Sequence, residues 1–94
     1  MANIGWHDTS VPINTEVYRR ESSDGPETIT VMASIDNDGA EIRVIHQRGG
    51  KIISDTIPHW GQDPTAGRRW LDRHRDACVT DGYQLIEESS ETEQ

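Results

Sequence analysis

The chain has no phenylalanine, one cysteine and one lysine, and its aromatic set is three tryptophans and two tyrosines. Each scarcity removes a class of answers. A lone thiol, Cys78, closes no internal disulfide, so the scaffold is not a stapled secreted fold. No run of about eighteen apolar residues occurs, and the opening stretch MANIGWHDTSVPINT has no basic cluster ahead of an apolar segment. Neither a membrane span nor a secretory leader is read, and a cytoplasmic location is expected. With 32% hydrophobic residues among 94 positions there is material for one modest core and not for two. The sequence also lacks G-x-S-x-G, H-E-x-x-H and any recognisable setting for a nucleophilic cysteine, so no enzymatic activity and no cofactor are expected.

What is present is one segment of helical period. In DPTAGRRWLDRHRDACVTDG, from Asp63 to Gly82, the residues Gly67, Trp70, Leu71, His74, Ala77 and Cys78 share one arc of a helical wheel, a core-facing stripe. Asp63 is placed as the N-cap with Pro64 in the first turn, and Gly82 is placed to end the helix. Trp70 is assigned to the core.

The residues before the helix alternate at the strand period. Thr15 to Arg20 is read as a short edge strand and SSDGP as a turn. From Thr28 to Ile35 the residues Ile29, Val31, Ala33 and Ile35 share one face. Asp36 to Gly39 makes a hairpin turn into Ala40 to His46, whose inward set is Ala40, Ile42, Val44 and His46. Arg48, Gly49 and Gly50 turn the chain into Lys51 to Ile57, which Pro58 is expected to end, and Tyr83 to Glu87 adds a last strand. The expected fold is α+β: an antiparallel β-meander of four to five strands with one helix in the C-terminal half packed on one face, in the order β-β-β-β-α-β. Residues 1–14 are read as an arm carrying Ile4 and Trp6, 15–87 as the domain, and 88–94 as an acidic flexible tail.

Charge is the strongest functional signal. The net charge of −8 is uneven: residues 1–40 carry seven acids and two bases, 41–80 five acids and seven bases, and 81–94 five acids and no base. Such a field repels phosphate backbones and favours a basic partner. Asp36, Asp38, Glu41, Asp55, Glu87 and Glu88 are the candidate protein-binding acids. Trp60 is a large ring in a loop that either plugs the end of the core, the commoner outcome, or protrudes as a contact anchor.

Other patterns are weighed against ordinary structural roles. Arg68, Arg69, Arg73 and Arg75 form an anion-binding edge in one reading and a salt-bridged helix face in the other. Asp72 and Asp76 stand at helical spacing from them, and the salt-bridged face is preferred. His74 and Cys78, at i and i+4, have the spacing of two metal ligands, but no paired motif supplies a third, so a packed thiol beside a partly buried histidine is read and no metal is assigned. Asp36 to Gly39 fails as a calcium loop, because Ser34 and Ile45 fall where acids are required.

These residues point to a small acidic, non-enzymatic interaction protein that binds a basic, nucleic-acid-handling protein and inhibits it as a nucleic-acid mimic. In size and charge alone the chain is similar to phage-encoded inhibitors of host machinery, anti-CRISPR proteins among them. The alternatives are a nucleic-acid or nucleoprotein-binding module using the arginine face, and an assembly subunit or homodimer joined through the open sheet face that carries Met32, Ile45 and one of Ile52 and Ile53.

Overall fold

The structure, a computed structural model, describes residues 13–91. The expected arm over 1–12, with Ile4 and Trp6, and the tail over 92–94 lie outside the described residues. The elements are β1 (Ile13–Ser22), β2 (Gly25–Asp36), β3 (Gly39–Arg48), β4 (Lys51–Gly61), α1 (Pro64–Thr80) and β5 (Gln84–Glu91). They form a five-stranded sheet in the order β4-β3-β2-β1-β5, antiparallel at every joint, with one helix after β4. This is the α+β fold with the strand-helix-strand order read from the sequence.

The alternation that defined the inward sets also defines the register. Ile29 pairs with His46, Val31 with Val44, Ala33 with Ile42 and Ile35 with Ala40. Directly opposed residues of an antiparallel pair project from the same face, so these eight lie together beneath α1. β1 adds Glu16 opposite Val31 and Tyr18 opposite Ile29. Tyr18 and Ile42 are fully buried, and Val31, Ala33, Cys78 and Tyr83 complete the closed core.

Both helix ends follow the expected chemistry. The Asp63 carboxylate accepts from the Thr65 amide at 2.9 Å, with Pro64 in the first turn. At the other end Tyr83 N donates to Cys78 O at 2.9 Å and Gly82 N to Val79 O at 3.0 Å, with Gly82 at a φ of 91°. That is a Schellman closure, and its usual apolar contact is between Tyr83 and Cys78, both core residues.

Several expectations are corrected. β1 is an inner strand, because β5 returns beside it and not beyond β4. Ile13 and Asn14, read as part of the arm, already pair with β2, and Glu88 to Glu91, read as flexible tail, continue β5 against Glu16 to Ile13. Pro58 does not end β4; it falls where the register shifts between Ile42 and Val44, a position where a missing amide costs no regular ladder bond. Ala77 is exposed at the margin of the helical stripe, while Trp70 and Leu71 are only partly buried at the rim of the core. Among the described residues no helix is long and apolar enough to cross a membrane.

Gly67 is buried where α1 lies close against β3: a β-carbon on it would collide with that of Ala40. Gly67→Ala therefore destabilises the fold by about 1–3 kcal/mol through overpacking, against a gain in helix propensity of about 1 kcal/mol. Urea unfolding of Gly67→Ala, and of Gly67→Ala with Ala40→Gly, checks this. The second change restores most of the loss if the clash is the cause.

Candidate functional site

Strand alternation places two carboxylates on the covered face, and each is met by cations from other elements. Glu27 on β2 is 2% exposed. Arg20 from β1 donates to its Oε1 through Nη2 at 2.7 Å, Arg48 from β3 to its Oε2 through Nη2 at 3.0 Å, and His46 Nε2 lies 3.3 Å from Oε2. The hydrogen bonds from Arg20 and then Arg48 hold the Glu27 carboxyl down at about 2. Arg20 also donates to Asp81 O at 2.7 Å and lies 4.4 Å above the Tyr83 ring, tying the end of α1 to the sheet. Glu16 accepts from Tyr18 Oη at 2.7 Å and from Arg75 of α1. Burial, and then the bond to Glu16, push the Tyr18 hydroxyl up to about 12.

The candidate acids do not form one patch. Asp36 and Asp38 sit at the β2–β3 turn, where Asp36 Oδ1 accepts from the Asp38 amide at 2.8 Å. Glu41 is buried and so removed from a contact surface. Asp55 is held in a two-pronged pair by Arg43, at 2.9 and 2.7 Å, which lowers its pKa. Glu87 and Glu88 are exposed on β5, at the sheet edge opposite β4, and Glu88 lies 4.0 Å from Arg75. Four strand spacings of about 4.8 Å separate the two edges.

The arginine cluster also divides. Arg75 is committed to Glu16, whereas Arg68, Arg69 and Arg73 have no carboxylate within ion-pair distance among the described residues. The expected local bridges to Asp72 and Asp76 are therefore not made, and the salt-bridged face is corrected to three unpaired guanidiniums. The Glu16–Arg75 bond joins positions 59 apart, which no helical spacing reveals. His74 stacks on Trp70 at 4.8 Å between ring centres and lies 3.7 Å from Cys78 Sγ, and burial pushes the thiol up to about 11. Among the described residues no three metal-ligating side chains come together.

Trp60 is 77% exposed, so it does not plug the core. It lies on β4 opposite Glu41, on the face away from the helix. Ile52, Ile53 and Ile57 of the same strand are also exposed. Ile52 pairs with Gln47 and so belongs to the open face, which resolves its position relative to Ile53. A shallow cavity of about 330 Å³ is lined by Arg19, Arg20, Glu21, Gly82, Gln84 and Ile86. Its arginines are occupied by Glu21 and Glu27. Compared with known proteins, the chain matches no family model, no curated protein and no solved structure.

Because its folded pKa is depressed, Glu27 contributes stability that is fully present above about 4.5 and lost as pH falls toward 2. Glu27→Gln is expected to lower the thermal midpoint at neutral pH. The difference from the parent should shrink across that acid window, as thermal melts at a series of pH values will read.

Proposed function

We propose that the chain is a non-enzymatic interaction module that acts in the cytoplasm, docking on a basic, nucleic-acid-handling protein and inhibiting it as a nucleic-acid mimic. The supporting observation is the division of its charge. Arg19, Arg20, Arg43, Arg48 and Arg75 are each spent on a carboxylate of the fold itself. Asp36, Asp38 and Glu87 have no cation within ion-pair distance among the described residues. Carboxylates held on a hairpin tip and on a sheet edge present two separate fixed negative sites, and charge complementarity to a basic surface speeds association and makes it sensitive to salt.

A second reading has its own observation. Arg68, Arg69 and Arg73 have no carboxylate partner among the described residues and are exposed on α1, chemistry that suits a phosphate. One experiment separates the two. Under the first, the protein captures a nucleic-acid-handling protein from a host lysate at ~50 mM salt and releases it at ~500 mM. Nucleic acid competes for that capture, and Asp36→Asn with Asp38→Asn and Glu87→Gln slows association by roughly tenfold. If instead the protein itself binds labelled DNA or RNA at ~150 mM salt, and Arg69→Glu with Arg73→Glu abolishes it, the second reading replaces the first.

A further inference from the structure

We propose that the protein self-associates through β4, which pairs antiparallel with β4 of a second copy about a two-fold axis at Thr56. The two five-stranded sheets become one continuous sheet. The inference does not rest on the partner proposed above, although the ends of its seam approach the Asp36–Asp38 turn used there.

β4 is the longer of the two edge strands, eleven residues against eight for β5, and positions 51–58 are exposed throughout. An edge of that length offers a row of backbone donors and acceptors, and soluble proteins usually guard such edges with charge. β5 is guarded by Glu87 and Glu88. β4 carries Lys51, Asp55, Pro58 and two register breaks, which also restrain an edge, but it displays Ile52, Ile53, Ile57 and Trp60, four of the seven large exposed apolar side chains among the described residues, against Leu85 and Ile86 on β5.

The occupant is identified by the pattern of faces along β4. Lys51, Ser54, Thr56 and His59 pair with Arg48, His46, Val44 and Ile42 and so face the helix side. Ile52, Asp55 and Trp60 pair with Gln47, Ile45 and Glu41 and face the open side, and Ile57, following Thr56, joins them. Two irregularities interrupt this alternation, one at Ile53 and one at Ile57–Pro58, on either side of Thr56. When the strand is laid against its own reverse about Thr56, the interruptions compensate each other. Asp55 then opposes Ile57, Ile52 opposes Trp60 and Lys51 opposes Gly61, each on a shared face. A regular strand slips by one residue at either irregularity and turns its side chains to the wrong face. A second copy supplies matching irregularities in the matching order.

The charges agree with the same register. The two Asp55 side chains lie on a diagonal and not directly opposite, and each is held by Arg43 of its own chain. Lys51, with Arg48 beside it, approaches the Gly61 end of the other copy. There Asp63 caps α1, and the Asp36–Asp38 turn packs close by, Gly39 lying against the Gly61 carbonyl. Opposite charges therefore meet at both ends of the seam although each chain carries −8. On the open face the pairing places Trp60 against Ile52 of the other copy twice over, an aromatic and β-branched pair of the kind that stabilises neighbouring strands.

Sedimentation equilibrium at ~100 μM is expected to return twice the 10.6 kDa chain mass. Trp60→Glu, at an exposed position that leaves the circular dichroism spectrum unchanged, is expected to weaken association by roughly 30-fold or more. Thr56→Cys, at the axis, should form a symmetric disulfide dimer under mild oxidation, since opposed residues of antiparallel strands lie within disulfide reach. Glu88→Cys, on the guarded edge, should not. A single-chain mass at that concentration overturns the proposal. So does a dimer that survives Trp60→Glu or crosslinks through Glu88→Cys in preference to Thr56→Cys.

Discussion

A single helix has to shield one face of five strands, and it is narrower than that face. With side chains an α-helix is about 10–12 Å across, while the edge strands stand four spacings of about 4.8 Å apart. α1 leaves β4 at one edge and must deliver the chain to β5 at the other, so it crosses the sheet and rests mainly on β2, β3 and β4. Its seventeen residues, at about 1.5 Å each, are long enough to make that crossing. The part of the covered face nearer β1 and β5 is closed by other means. Tyr18 and Tyr83 supply the bulk, and Glu16, Glu27, Arg20, Arg48 and Arg75 supply a rim of paired charge.

That rim follows from the composition. A chain without phenylalanine has few large apolar groups with which to extend a core past the reach of its helix. Buried ion pairs gain little over apolar packing, because desolvation offsets much of their attraction, but removing one partner strands the other. One of these pairs also joins elements that are not neighbours in the sheet. Arg75 fastens α1 to β1, and Arg20 links β1, β2 and the residue that follows α1. The electrostatics of the fold and the shape of its core are thus one problem, solved by spending cations on internal carboxylates.

The parts legible in the sequence were those governed by local period. The inward residues of β2 and β3, the caps of α1 and the turn at Gly49 and Gly50, where φ is 58° and 83°, follow from alternation, helical spacing and the conformations glycine permits. The illegible parts were non-local. Nothing near Thr15 to Arg20 announces that β5 will return beside it, so local pattern alone reads β1 as an edge strand. Nothing near Arg75 announces Glu16, and helical spacing points the arginines to Asp72 and Asp76, their neighbours in sequence. Pro58 marked a strand end only on the assumption of an unbroken ladder. The candidate acids were legible as residue types, but burial of Glu41 and pairing of Asp55 depend on which strand lies opposite, and that is a property of the assembled sheet.

The two edges of the sheet record how a sparse apolar supply was distributed. β5 was placed last in the chain, in its most acidic stretch, and its glutamates oppose further strand addition while adding to the outward negative field. β4 received isoleucines and a tryptophan that the core under α1 did not use, although that core is small and rimmed by polar groups. In a chain with 32% hydrophobic residues, leaving Ile52, Ile57 and Trp60 roughly half or more exposed forgoes part of the about 1.5–3 kcal/mol that full burial of a large apolar side chain supplies. A fold so short of apolar surface recovers that loss only where those side chains meet another surface. The two edges therefore differ in what they show to water, one carrying the larger share of exposed apolar side chains and the other a run of acids.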